Sequence, residues 1–265
     1  MRRTTPLLNR SALSKLVFLM LLCLILGQFS QAQVNVRDSI LRVPMFTISA
    51  AYQVPGGDLS DRFGANGNIG FHFYQKEESN FIWGGGFEFL FGEKVKEDTI
   101  LNIISTSNEQ VIDGFGQYAA LSFFERGFKV SAYGGKIIPI FKYNQNSGLM
   151  LTLGAGFLQH KIEIQNPEQR APQLNKEYKR GYDRMTNGFC VTEFIGYMHM
   201  DNKRRVNFYG GFEFTQAFTK NRRSWNFDSR SADTDGRIDL LNGFRLGVVI
   251  PMYPKRGRTD LYFYD

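Results

Sequence analysis

Phe81-Ile82-Trp83-Gly84-Gly85-Gly86-Phe87-Glu88-Phe89-Leu90-Phe91 sets a pattern that recurs along the whole chain. Side chains alternate across an extended strand, so Phe81, Trp83, Phe87, Phe89 and Phe91 share one face and Ile82, Gly84, Gly86, Glu88 and Leu90 the other. One face is aromatic. The other is small and carries a carboxylate. A soluble sandwich would turn the apolar face inward, whereas a membrane barrel turns aromatic residues toward lipid and small or ionisable ones toward its lumen.

The beginning of the chain favours export. Arg2, Arg3, Arg10 and Lys15 precede an apolar run from Leu16 to Gly27, and Ser30-Gln31-Ala32 is a small-x-small cleavage site. The run is about a dozen residues, short of the ~20 that a spanning helix needs. Residues 1–32 are therefore expected to be a cleaved signal peptide, and Leu22 before Cys23 argues against lipidation. Setting aside those four basic residues takes the formal charge from +7 to +3, too little to argue for nucleic acid. Cys190 then has no partner for an internal disulfide. A remaining chain of 233 residues with no change of composition reads as one domain.

The alternation returns at intervals. Phe46, Ile48, Ala50 and Tyr52 oppose Thr47, Ser49, Ala51 and Gln53, ending at Pro55-Gly56-Gly57-Asp58. Ile69, Phe71 and Phe73 oppose Asn68, Gly70, His72 and Tyr74; Phe128, Val130 and Ala132 oppose Lys129, Ser131 and Tyr133. Leu149 to Phe157, Val206 to Phe214 and Ile238 to Ile250 behave likewise, while Phe189 to Met200 is strand-like but ambiguous in phase. Long connections (54–66, 92–115, 165–188, 219–236) alternate with short ones (76–80, 144–148, 201–204), as they do between the outer and periplasmic sides of outer-membrane barrels. The expectation is an all-β, eight-stranded antiparallel transmembrane up-and-down barrel over 43–251, after a short periplasmic lead at 33–42 and before an aromatic tail at 252–265. Glu125-Arg126-Gly127 interrupts the pattern. Residues 115–127 are read as strand extension or loop structure outside the membrane; if Glu125-Arg126-Gly127 is instead a periplasmic turn, the barrel has ten strands.

Phenylalanine (25) and tyrosine (12) are abundant, many near strand ends where aromatic girdles sit. Glycines 70, 84, 86, 154, 156, 211, 243 and 247 fall on the expected lumen face, where a narrow barrel needs small residues. A secreted sandwich shares the alternation. With Tyr262-Phe263-Tyr264, these features make the chain resemble the small outer-membrane β-barrel proteins of Bacteroidota-type envelopes. The chain departs from that pattern in ending at Asp265, with Pro251 separating the last strand from the tail. The resemblance implies an envelope protein at the cell outer membrane, some relatives being accessory parts of secretion machinery.

The candidate lumen charges are Glu88, Glu213, Asp239, Arg245 and His72, joined by Glu193 and Lys129. They read as a salt-bridged plug or, alternatively, a proton or ion path. In the outer loops, Arg180, Arg184, Arg222, Arg223 and Trp225 are candidates for binding lipopolysaccharide phosphates or an envelope protein. His72, His160 and His199 lack a His-x-Ser arrangement, so a lipid hydrolase is unsupported. Asp233-Thr234-Asp235-Gly236 resembles the start of a calcium loop but lacks its later ligands. No catalytic, metal or cofactor site is therefore expected. The leading reading is a non-enzymatic structural or accessory envelope barrel, with a small-solute pore as the alternative.

Overall fold

A computed structural model describes residues 40–142, 144–202 and 206–253. The expected signal peptide, most of the lead and the aromatic tail Tyr262 to Tyr264 lie outside the described residues. Eight strands form a closed antiparallel ring in chain order: β1 (Val43–Gly57), β2 (Asn66–Lys76), β3 (Phe81–Gly92), β4 (Ser122–Pro139), β5 (Gly148–Gln165), β6 (Thr186–Met200), β7 (Asn207–Asn221) and β8 (Gly236–Pro251). Pairing of β1 with β8, from Met45↔Pro251 to Gly57↔Asp239, leaves the sheet without an edge.

The register fixes which way each face looks. Phe71, Phe87, Val130, Phe157, Phe189 and Phe218 follow one another across neighbouring strands. All but one of the outward residues of β3 named at the outset are more than two-fifths exposed, and Phe91 is close behind. Phe46, Ile48, Phe212, Phe244, Leu246 and Val248 likewise stand on the outer wall, while Thr47, Ser49, Gln53, Lys129 and Arg245 are buried inside. A wall greasy on its outside and polar within is stable against acyl chains, where every backbone group is satisfied by the closed ladder. The protein is a transmembrane β-barrel.

Two local readings are corrected. Pro55 and Gly56 do not end the first strand, because β8 pairs with it as far as Gly57. Glu125-Arg126-Gly127 is not a turn: Arg126 pairs with Phe91 and Lys161, so β4 runs through and the count is eight. Alternation in fact continues there, with Glu125 and Gly127 on the inner face. Tyr74, Tyr133 and Tyr209 point inward, on the faces that the alternation assigned to them.

The interior is filled in layers. At the end of the barrel bearing the short turns, Met45, Tyr74, Ile82, Ile137, Met150, Met198 and Tyr209 pack together. At the opposite end, Leu59, Phe63, Ile100, Leu101, Val111, Leu174 and Tyr182 from the connecting loops join Leu90, Leu158, Ile162 and Leu241 of the strands. The long loops are therefore a lid with its own core. Ion pairs lie between these apolar layers.

Inward glycines permit close strand approach. A Cβ at Gly84 would lie 1.9 Å from the Phe73 carbonyl oxygen. Gly84→Leu is expected to abolish folding, seen as loss of the compact, heat-modifiable band when unboiled protein is run on a denaturing gel.

Candidate functional site

The buried centre of the barrel is an ionic network drawn from seven strands. Arg245 of β8 holds Glu213 of β7 by a fork, Nε to Oε2 and Nη2 to Oε1, both 2.8 Å. The same Nη2 donates to Glu88 Oε2 of β3 at 2.5 Å, and Nη1 donates to Ser49 Oγ of β1 at 2.8 Å. Lys129 Nζ of β4 lies 3.2 Å from both Glu88 Oε1 and Glu213 Oε1 and donates to Thr215 at 3.2 Å and Thr192 of β6 at 3.4 Å. Tyr133 OH and Asn68 Nδ2 each donate to Glu88 at 2.8 Å, and His72 Nε2 stands 3.3 Å from it.

Two carboxylates are thus matched by a lysine and an arginine, and each carboxylate is held by both. Burying an ion costs several kcal/mol, which only close pairing and further hydrogen bonds offset. The inward phase of the strands explains the convergence: Glu88, Lys129, Glu213 and Arg245 occupy inner positions near mid-barrel, too narrow a place for water-separated charges.

Asp239 does not join this network. It lies nearer the loop end, where Oδ2 accepts from Thr219 Oγ1 at 2.5 Å and lies 2.9 Å from His160 Nε2. Phe63 packs edge-on against His160. Glu193 is a second correction, since its side chain is exposed on the outer wall while its neighbours Thr192 and Phe194 point inward. Pairing of Glu193 with outward Leu153 and Phe214 sets that phase.

The loop arginines divide into two groups. Arg184 pairs with Glu97 at 2.8 Å and with Asp228, and Arg223 grips Asp183 at 2.7 and 2.5 Å. These two tie the lid together and are not displayed for a ligand. Arg222 keeps its exposure while donating to Asn187 Oδ1, and Arg180 and Trp225 are exposed. Beneath them Arg62 reaches Thr186 Oγ1 at 3.0 Å and Glu97 at 3.3 Å; burial lowers its pKa from the usual arginine value, against the pull of Glu97. Sequence reading missed Arg62 and Glu97, whose meeting depends on loops far apart in the chain. Asp233 pairs with Arg237 and accepts from Asn221. Burial would raise its pKa, but those two donors hold it below the usual carboxylate range, so the fragment resembling a calcium loop spends its first carboxylate on the loop itself. Among the described residues, no three His, Cys, Asp or Glu side chains gather as metal ligands would.

A closed sheet with a lipid-facing wall and a salt-bridged interior defines a small outer-membrane-type β-barrel with a filled lumen. No family model and no curated protein matches the chain. Solved structures are similar to it at low identity. Ail of Yersinia pestis, solved with the heparin analogue sucrose octasulfate, is 10% identical with a TM-score of 0.40, the match covering 79% of this chain and 100% of that one. A major outer membrane protein of Thermus thermophilus is 9% identical with a TM-score of 0.40, covering 79% and 99%. OprG of Pseudomonas aeruginosa is 9% identical with a TM-score of 0.34, covering 82% and 99%.

Removing Arg245 alone leaves two carboxylates facing one lysine. Arg245→Leu is expected to destabilise the barrel by about 3–5 kcal/mol, measured by urea unfolding from lipid vesicles. Arg245→Leu with Glu213→Leu leaves Glu88 balanced by Lys129 and should be more stable than Arg245→Leu alone.

Proposed function

We propose that the protein is a non-enzymatic, non-conducting barrel of the outer membrane with a structural or accessory role in the cell envelope, of the kind found in Bacteroidota-type envelopes. The supporting observation is the interior. Glu88, Lys129, Glu213 and Arg245 satisfy one another at mid-depth, and an apolar layer closes each end. A solute path needs a continuous hydrated lumen, and a hydrolase needs a nucleophile and base open to lipid. Here the charges are spent on each other. His160 and Asp239 are buried beneath the lid. Function on this reading belongs to the outside of the molecule: the loop rim and the lipid-facing wall.

At the rim, exposed Arg180, Lys220 and Arg222 stand with Tyr178 and Trp225. Guanidinium groups bind phosphate oxygens by paired hydrogen bonds, so this surface suits the phosphates of lipopolysaccharide in the outer leaflet. Arg180→Glu with Arg222→Glu should weaken binding to lipopolysaccharide-containing vesicles by about tenfold, more at low salt than at high. Binding unchanged by these substitutions would remove the rim as that site.

Purified protein in a planar lipid bilayer should show no steady current. A reproducible ohmic conductance from folded protein would overturn the closed-lumen reading in favour of a small-solute pore.

A further inference from the structure

The outer wall carries a carboxyl group at mid-strand, where the amides of Asn242 and Gln216 also break the apolar surface. Glu193 is the middle residue of β6, exposed, and on the outer face of that strand Phe189 and Val191 stand on one side of it and Ile195 and Tyr197 on the other. Its register neighbours are Leu153 of β5 and Phe214 of β7, both exposed and apolar. In either protonation state a carboxyl group has hydrogen-bonding capacity that acyl chains leave unmet, and membrane-embedded acids ordinarily face a partner. Glu193 also lines an open groove of about 680 Å³ on this wall, with Leu153, Ile195, Phe214 and Lys136 around it. Gly134 leaves part of the groove bare: a Cβ there would meet only Phe81 Cζ, at 3.7 Å. A flat lipid wall needs no such recess.

From this geometry we infer that the β4–β6 face is a docking site for a membrane-embedded segment of another envelope protein, carrying a lysine or arginine at mid-depth. The inference rests on the accessory role proposed above and names the surface that performs it. Charge complementarity identifies the partner, because the carboxylate calls for a cationic donor at its own depth. The groove's own Lys136 does not supply it. Lys136 pairs with Leu151 and Leu151 with Ile195, two residues closer to the short-turn end than Glu193, and Lys136 is three residues from the end of β4. A second copy in the same membrane orientation keeps every residue at its own depth, so its Lys136 is misplaced in the same way.

Photocrosslinking in native outer membranes tests this, with a benzophenone side chain at Leu153 in the groove or at Val248 on β8 as the control. Adducts at 153 but not at 248, mapping to a membrane segment of another protein that contains a lysine or arginine, are expected. Their yield should fall by about tenfold or more in Glu193→Leu and also in Gly134→Leu, as loss of a desolvated ion pair or of the recess would require. Gly134→Leu adds bulk to the recess while keeping the acid, its Cβ meeting no backbone within 4 Å, and both variants are checked for the heat-modifiable folded band. Absence of a protein adduct at 153, adducts only between two copies, or adducts retained in either variant would overturn the docking site. A steady current in the bilayer experiment would instead remove the closed-lumen reading, so the two failures are separable.

Discussion

Everything in this molecule follows from placing charges inside a ring of eight strands that is too narrow to hydrate them. Arg245 and Lys129 each bridge Glu88 and Glu213, so no ionised group of this centre is left to face a low-dielectric interior alone. The bridges also link strands that are not neighbours in the sheet, since β3 and β7 are joined through β4 and β8. Backbone hydrogen bonds close the ring; the ionic centre braces it across its diameter. Glycine on the inner face and phenylalanine on the outer face follow from the same narrowness, one making room for the network and the other meeting lipid.

The lid extends this logic to the loops. Arg62, Glu97, Arg184 and Asp228 form a chain of ion pairs over an apolar layer of Leu59, Phe63, Ile100, Leu101 and Leu174. Backbone bonds from Phe227 to Gly181 and from Gly114 to Arg170 join three loops to one another. Such a lid is structured by residues that, in isolation, resemble a solvated rim. Only what it leaves outside, Arg180, Arg222 and Trp225 among them, is available for recognition.

Alternation made seven strands legible, because aromatic and small or polar residues separate cleanly between their faces. The exception, β6, shows why. It carries Phe189 and Ile195 outward but Phe194 and Met198 inward, with Glu193 among the outward set, so hydrophobicity does not distinguish its faces and only pairing with β5 and β7 sets the phase. Glu125 hid the continuity of β4 for a related reason: an inward acid looks like a turn residue until Asn66 is seen to donate to it. The central network was legible as a set of inward charges. Its partnerships were not, nor was the separation of Asp239, because both depend on heights in the barrel that only the register supplies. The apolar residues 100, 101, 103 and 104 within a polar connection were the available sign of the lid.

Collision accessibility of spin labels placed singly along 206–216 in vesicles gives the plainest check. The barrel described here requires oxygen accessibility to rise and fall with a period of two, high at 208, 212 and 214, with 209 and 213 shielded from oxygen and from a water-soluble relaxant alike. Ready access of the water-soluble relaxant to 209 and 213 would contradict a filled interior. Loss of the two-residue period would contradict the lipid-facing wall itself.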